Sequence, residues 1–165
     1  MEKRIVISSV EDFKEWTQRL TYPSLVAPER LVFSESERKV FIPLYRGDPS
    51  QQIAKKVRWC KWQYSCPIFP DVIEIRHVSE YSLDEKQIAT EYCQLYKILY
   101  NDRKRNIRFD TDFPFPVKIV VDSLEMVVER GEHPIGMYHE WIDYSLIIFH
   151  VVGYKVELLS DNVSS

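Results

Sequence analysis

Glycine is scarce in this chain of 165 residues, which contains only four. Glycine-rich loops let a backbone approach phosphate groups closely, and the sequence has neither a P-loop nor a dinucleotide-binding fingerprint. The same scarcity excludes a collagen-like chain and a flexible linker. No apolar run approaches the roughly 18 to 20 residues that a membrane-spanning helix needs. Phosphate-cradling nucleotide enzymes, fibrous proteins and membrane-spanning helices are therefore not expected.

A dominant charge of one sign is also missing, because 22 lysines and arginines nearly balance 25 aspartates and glutamates. The net charge of −3 is too small to predict binding to nucleic acids or membranes from the overall field. With 45% hydrophobic and 28% charged residues, the composition is typical of one globular domain. We place this domain over residues 1–159 and expect a frayed tail at 160–165.

No secretion signal is recognisable, because residues 1–4 are followed only by the short apolar run 5–7. We therefore expect a cytoplasmic protein. The three cysteines, Cys60, Cys66 and Cys93, are an odd number and are expected to be reduced thiols. Cys60 and Cys66 are spaced more widely than the cysteine pairs of zinc sites.

A helix is predicted near the N-terminus. Ser8 and Ser9 stand three residues before Glu11 and Asp12, which is the capping-box arrangement. Apolar residues then recur at three- and four-residue spacing and form one stripe: Val10, Phe13, Trp16 and Leu20. The residue before a proline is disfavoured in the α region, so the helix should end by Tyr22.

Two segments, residues 31–42 and 98–109, carry the same hairpin pattern. In each, a β-prone triplet is followed by six mostly polar residues and then by another β-prone triplet. The offset of 67 residues is what a duplicated half-domain would leave. A hairpin pattern of this length also arises by chance, so both origins stay open.

The middle of the chain is mostly β-like. Strands are predicted at 57–64 and 71–82, separated by the prolines of 66–70, which cannot donate to a ladder. A second capping box, at 82–85, predicts a short helix over 83–92 that runs into a strand.

The C-terminal third is also β-like. Strands are predicted at 117–121 and 124–129, and the most apolar segment, 145–159, is predicted to be a central strand. The fold class is therefore α+β. We expect a mostly antiparallel sheet of about seven to nine strands, as a curled sheet or sandwich, with an N-terminal helix and one short helix.

The densest set of metal-ligating side chains is His133, His139, Glu140 and Asp143. Imidazole and carboxylate groups bind zinc, manganese or iron. If residues 137–145 were helical, His139 and Asp143 would share a face, and His133 could close the site from the preceding loop. The spacing matches no two-histidine helical motif, and histidines in loops are common. A metal-dependent enzyme that uses His133, His139 and Asp143 is therefore an alternative.

A second candidate is the segment from Lys55 to Tyr64, where basic and aromatic residues alternate. On one strand, Arg58, Trp62 and Tyr64 would face one way and Trp59 the other. Such a face could stack single-stranded bases while lysines contact phosphates. In the competing interpretation, one tryptophan belongs to the core and the other is covered by lysine or arginine stems.

Two other groups of residues were considered as functional sites, and neither supports a functional assignment. The cluster of Arg103, Lys104 and Arg105 is typical of a solvated hairpin tip. A triad of Ser145, His150 and Asp143 can be composed, but no nucleophile elbow positions the serine. His150 lies in an apolar segment and is better explained as a core histidine. No catalytic residue is therefore assigned.

The sequence thus favours a small, non-enzymatic protein that binds another macromolecule, with a protein as the favoured partner. Ten tyrosines, eight phenylalanines and four tryptophans exceed what a domain of this size must bury. The residues assigned to partner binding are Arg58, Trp59, Trp62 and Tyr64. The alternatives are the metal-dependent enzyme and a single-strand nucleic-acid binder that uses residues 55–64. No cofactor and no membrane association are predicted.

Overall fold

The computed structural model describes residues 2–145 and 150–159. One α-helix, α1, spans Val10–Gln18, and single 3-10 turns span Pro28–Arg30, Pro49–Gln51 and Glu85–Gln87. Thirteen strands follow the chain in this order: β1 (Arg4–Ile7), β2 (Ser24–Val26), β3 (Val32–Ser34), β4 (Lys39–Gly47), β5 (Ile53–Arg58), β6 (Lys61–Ile75), β7 (Val78–Leu83), β8 (Cys93–Asn101), β9 (Asn106–Thr111), β10 (Val117–Val121), β11 (Met126–Glu129), β12 (Gly136–Asp143) and β13 (His150–Leu158).

The strands form one open, antiparallel sheet with side branches. The main path runs β1-β11-β6-β4-β2-β8-β9-β10-β7, and β3, β5, β12 and β13 pair beside it. The mostly antiparallel sheet and the N-terminal helix are confirmed. The prediction of seven to nine strands is wrong, because long β-prone stretches of sequence divide into several short strands that have different neighbours.

The N-terminal helix begins where the sequence predicts. Ser9 is the N-cap, and its hydroxyl accepts a hydrogen bond from the amide of Asp12 at 3.1 Å. Phe13 and Trp16 are buried against the sheet. The Thr17 hydroxyl both accepts from the amide of Ile98 in β8 (3.0 Å) and donates to its carbonyl (3.2 Å). The helix therefore packs on the sheet through an apolar stripe and one polar link.

Strand β6 organises the sheet because it has two successive neighbours on each side. On one side it pairs with β5 through residues 61–65 and then with β4 through 68–75. On the other side it pairs with β12 through 61–68 and then with β11 through 72–75. The first half of β6 thus belongs to a branch made of β5, β6, β12 and β13, and its second half belongs to the main sheet.

The prolines of 66–70 do not break this strand, contrary to the prediction. Pro67 lies where β5 has ended and β4 has not yet begun, and Pro70 lies between the segments that pair with β12 and β11. The carbonyl of Pro67 accepts from the amide of Asp48 at 3.0 Å, so its backbone polar side faces that gap. Proline lacks an amide proton, and here no neighbouring strand needs one.

The middle of the sheet is buried on both faces, because successive side chains of a strand point to opposite faces. Val26 of β2 belongs to a core that includes Phe13 and Trp16 of α1 together with residues of β4, β6 and β8 to β11. Its neighbour Leu25 belongs to a second core with Cys66 of β6 and Tyr138 of β12. The branch therefore covers the face opposite the helix.

Both predicted hairpins are present. Strands β3 and β4, and strands β8 and β9, are joined by four-residue turns whose last residues, Arg38 and Arg105, adopt positive φ angles of 55° and 53°. These two arginines are also related by the offset of 67 residues. The shared hairpin is confirmed, and its origin by duplication stays a hypothesis.

Two element predictions are wrong. No helix forms over 83–92, because β7 continues to Leu83 in its ladder with β10, and Asp84 then caps only one 3-10 turn. In the described part of the chain, β13 pairs with β12 alone, so it is an edge strand and not a central one. Residues 146–149, the side chain of His150 and the predicted tail at 160–165 lie outside the described residues.

None of the helices within residues 2–145 and 150–159 combines the length and apolarity that crossing a bilayer requires.

Candidate functional site

The segment from Lys55 to Tyr64 folds as a hairpin and not as the single strand predicted at 57–64. Strand β5 turns at Trp59 and Cys60 into β6, with Arg58 opposite Lys61. All six residues of β5 are exposed, and among the described strands β5 pairs only with β6. We call this element, residues 53–65, the β5 hairpin.

The four residues predicted to bind a partner divide into two groups. Trp59, at the turn, is 86% exposed, and Arg58 beside it is also exposed. Trp62 and Tyr64 lie on one face of β6 and are half-buried. Trp62 and Tyr64 therefore share a face, as the alternation predicts, whereas Arg58 lies across the turn on β5 and does not follow them on one strand.

The surface of the β5 hairpin is basic and apolar. Between Ile53 and Lys61 the chain has four basic residues and no acidic one: Lys55, Lys56, Arg58 and Lys61. None of the four takes part in an ion pair within the described chain. Ile53 is 65% exposed and Val57 is 46% exposed. A cationic patch thus surrounds exposed apolar side chains, and Asp143 of β12 stands opposite Lys61 at its inner edge.

The predicted metal ligands do not converge. His139 and Asp143 lie on strand β12, not on a helix, so four residues separate them by about 13 Å at about 3.3 Å per residue. The Nδ1 atom of His139 lies 2.6 Å from the Ser65 hydroxyl, and its Nε2 atom lies 3.3 Å from a carboxylate oxygen of Glu157. His133 is exposed in the loop before β12. Among the described residues, no group of three ligating side chains could hold a metal ion.

A buried polar cluster lies on the opposite face of β12. Tyr138 and Glu140 alternate with His139 and stand directly opposite Cys66 and Tyr64 of β6. The Tyr138 hydroxyl donates to Oε1 of Glu140 at 2.9 Å, and the Tyr22 hydroxyl donates to the same oxygen. Glu140 is only 6% exposed. The carboxylate therefore lies between two tyrosine hydroxyls inside the fold.

Burial keeps the groups around this carboxylate protonated. Burial, followed by hydrogen bonding to Glu140, raises the pKa of Tyr22 above its ordinary value. Burial also raises the pKa of Tyr138, with further contributions from Tyr22 and Glu140. The pKa of the neighbouring Cys66 thiol rises to about 11, again mainly through burial. At neutral pH both tyrosines are hydrogen-bond donors and Cys66 is not a thiolate nucleophile.

Sequence reasoning missed most of this cluster. It named Glu140, but as a metal ligand, and it assigned nothing to Tyr22, Tyr138 or Gln94, whose Nε2 donates to the Tyr138 hydroxyl at 2.5 Å. These residues come from three segments that are far apart in the sequence, so no local spacing predicts that they form a cluster. The available signal was the alternation along β12, which places Tyr138 and Glu140 on one face.

Comparison with known proteins adds no assignment, since no family model, curated protein or solved structure matches the chain.

Proposed function

We propose that this protein is a non-enzymatic protein-binding module that takes up an extended, acidic segment of a partner along the outer edge of β5. The observation that carries the proposal is the state of β5 itself. It is exposed at all six residues, it is basic, and in the described chain it is paired on one side only. No other described strand is exposed throughout its length.

An edge strand offers a row of backbone donors and acceptors to an incoming strand. Proteins use this edge to bind extended peptides, with main-chain hydrogen bonds for affinity and side-chain contacts for specificity. Strand β5 is held by β6, whose other side pairs with β12. The receiving edge is therefore part of a four-stranded branch and not an isolated ribbon.

The charges of β5 favour an acidic occupant over a second copy of the same edge. Antiparallel pairing of β5 with β5 would place lysines and arginines of the two copies opposite or diagonal to one another, and like charges across a ladder are destabilising. An acidic segment would instead pair with Lys55, Lys56 and Arg58. Charge complementarity of this kind steers association and excludes wrong partners.

Trp59 supplies an anchor at the end of the strand. Tryptophan is among the residues most enriched at binding hot spots, where a large side chain becomes fully desolvated. At 86% exposure, Trp59 contributes little to the core and leaves a large apolar surface in water. Val57 and Ile53 extend this apolar surface along the strand.

The other two candidate functions receive less support. Single-strand nucleic-acid binding needs several stacking side chains beside the cations, and the hairpin presents only Trp59 in fully accessible form. A metal-dependent enzyme needs ligands that converge, and the described His133, His139 and Asp143 do not. A cytoplasmic location is retained as part of the proposal, supported by three free cysteines.

The test uses two capped synthetic peptides as long as β5, one of alternating valine and glutamate and one of alternating valine and lysine. We expect the acidic peptide alone to change the tryptophan fluorescence, with affinity that falls as salt is added. Its binding should also slow amide hydrogen exchange in β5, because the outward amides gain acceptors. Oligo(dT) serves as the nucleic-acid probe.

The matched variants reverse two charges each. Lys55→Glu with Lys56→Glu should abolish binding of the acidic peptide, whereas Arg103→Glu with Lys104→Glu, in the exposed turn between β8 and β9, should leave it unchanged. Binding of the acidic peptide that survives the first pair overturns the proposal. Binding of oligo(dT) without binding of the acidic peptide replaces it with the nucleic-acid function.

A further inference from the structure

A small cavity opens on the face of the branch that carries the Tyr138 and Glu140 side chains. It encloses about 40 Å³, and its lining includes Tyr22, Tyr64, Tyr138 and Glu140. One water molecule needs roughly 10 to 15 Å³ on this scale, so the cavity accepts a group of only a few heavy atoms. Tyr22 is 48% exposed, whereas Glu140 is 6% exposed, so the cavity leads from the surface to a buried carboxylate.

The Glu140 carboxylate has hydrogen-bond donors but no cation. Both tyrosine hydroxyls donate to Oε1, and no hydrogen bond to Oε2 is formed by the described residues. No lysine, arginine or histidine of residues 2–145 and 150–159 forms an ion pair with it. Buried carboxylates are almost always paired with a positive group. The second oxygen is not sealed inside the protein, because Glu140 lines the cavity, and it is therefore the atom that a cationic donor in the cavity would meet.

A second acceptor in the same cluster also lacks a donor. Gln94 is 2% exposed, and its Oε1 accepts no hydrogen bond from the described residues. The amide orientation follows from the network, because the single proton of the Tyr138 hydroxyl goes to Glu140 and that hydroxyl must accept from Nε2 of Gln94. The cluster thus has an excess of acceptors, although Gln94 itself does not line the cavity and the ligand contact falls to Glu140.

We infer that this cavity binds the primary ammonium group of an alkylamine, with Glu140 as its counter-ion and the tyrosines as its walls. An ammonium group brings a positive charge and three N–H donors, which are the two things the cluster lacks. Tyrosine rings are electron-rich on their faces and attract such a cation when it is desolvated. This inference goes beyond the proposed function, because it concerns a different ligand and a different surface.

The volume of the cavity selects the kind of ammonium ion. A primary ammonium group on one unbranched alkyl chain fits a cavity of this size. A quaternary trimethylammonium group is bulkier and has no N–H to donate. The chain behind the ammonium would pass between Tyr22 and Tyr64 toward solvent. A free alkylamine and a lysine side chain of another protein share this chemistry, and the experiment distinguishes them.

The experiment titrates the unmodified protein with n-butylammonium chloride and follows the amide chemical shifts of Tyr138, Glu140 and Cys66. A ligand of about five non-hydrogen atoms reaches at most about micromolar affinity, at a ceiling of about 1.5 kcal/mol per atom, so the titration extends from micromolar to millimolar concentrations. We expect saturable shifts with n-butylammonium and none with 1-butanol, its neutral counterpart of equal length. Tetramethylammonium should shift these amides at least about tenfold more weakly, because it has no donor for Glu140.

A lysine derivative identifies the source of the ammonium group. If Nα-acetyl-lysine N-methylamide binds more tightly than n-butylammonium, the natural ligand is a lysine side chain, and equal or weaker binding indicates a free amine. The Glu140→Gln variant keeps an oxygen that can accept from both tyrosines, and it should weaken n-butylammonium binding at least about tenfold. Glu129→Gln, at an exposed position of β11, is the matched control and should bind normally.

Equal shifts with n-butylammonium and 1-butanol would overturn the inference, since they would show an apolar cavity indifferent to charge. Unchanged binding in the Glu140→Gln variant would overturn it as well. The comparison of amine with alcohol needs no variant, so a failure of Glu140→Gln to fold leaves the inference testable. The proposed function is unaffected by either result, because its peptides and variants involve the edge of β5.

Discussion

The buried ion pair between Arg46 of β4 and Asp71 of β6 offers the sharpest test of how this fold is held together. The Asp71 side chain is 3% exposed and that of Arg46 is 17% exposed. Arg46 Nε lies 2.8 Å from Oδ2 of Asp71, and its Nη2 lies 3.3 Å from Oδ1. The amide of Gly131, in the loop after β11, donates to Oδ1 at 3.2 Å. The pair therefore joins two strands and a loop.

Asp71→Leu keeps the number and branching of the heavy atoms, but it leaves the Arg46 guanidinium with only the Gly131 carbonyl as an acceptor and the Gly131 amide with none. Removing one partner of a buried pair costs about 3–5 kcal/mol. Because Arg46 retains some exposure, we expect the lower end of that range, about 3 kcal/mol. At about 2–4 °C per kcal/mol for a domain of this size, the melting temperature should fall by about 6–12 °C.

The assay is urea unfolding followed by tryptophan fluorescence, with the single variants Asp71→Leu and Arg46→Met and the double variant. We expect the double variant to be less destabilised than the sum of the singles, because an apolar pair leaves no unpaired buried charge. Lys118→Ala removes the exposed ion pair with Glu80 and should cost about 0–1 kcal/mol. If Asp71→Leu costs no more than this control, the pair is solvated and the reasoning fails.

Three further predictions concern single side chains. Trp59→Ala should change the free energy of unfolding by less than about 0.5 kcal/mol. Trp16→Ala should lower it by about 3–5 kcal/mol, because Trp16 is only 6% exposed. Equal losses of the two variants in urea titrations would contradict this prediction. Thr17→Val should lower the free energy of unfolding by about 1–3 kcal/mol, because it leaves an amide and a carbonyl of β8 without partners. An unchanged melting temperature would show that these two hydrogen bonds do not stabilise the fold. Burial alone would raise the pKa of Glu74, but hydrogen bonds from cationic neighbours lower it overall. Its contribution to stability is therefore present above the ordinary glutamate pKa of about 4.3 and is lost as the pH falls through the folded-state pKa. Glu74→Gln should flatten the acidic part of the curve of unfolding free energy against pH. An unchanged curve would contradict a lowered pKa of Glu74 in the folded state.

Local chemistry was enough to place several elements from the sequence. The Ser9 cap and the stripe through Phe13 and Trp16 specify the helix, because both signals act within a few residues. The hairpins at 31–42 and 98–109 were equally recognisable, since polar turns between β-prone triplets have few other solutions. The antiparallel character of the sheet follows from such short connections.

Predictions that needed a neighbour were the ones that were wrong. The prolines at 67 and 70 indicate a break only if both sides of the strand are paired, and the alternation of partners along β6 was not visible in the sequence. The segment 145–159 is apolar enough for a central strand, yet its described part pairs on one side only. Hydrophobicity reports that a residue tends to be buried, not which strand buries it.

The candidate sites divide in the same way. The sequence by itself determined that residues 53–61 carry four basic residues, no acidic residue and an aromatic residue, because composition is local. Only the tertiary structure decided that this segment is an exposed edge hairpin, and only it brought Tyr22, Gln94 and Tyr138 around Glu140. The contact of Tyr22 with Glu140 joins residues that are 118 positions apart in the chain. Sequence periodicity carries no information at that separation, because the pairing of strands and not the local backbone geometry brings the two residues together.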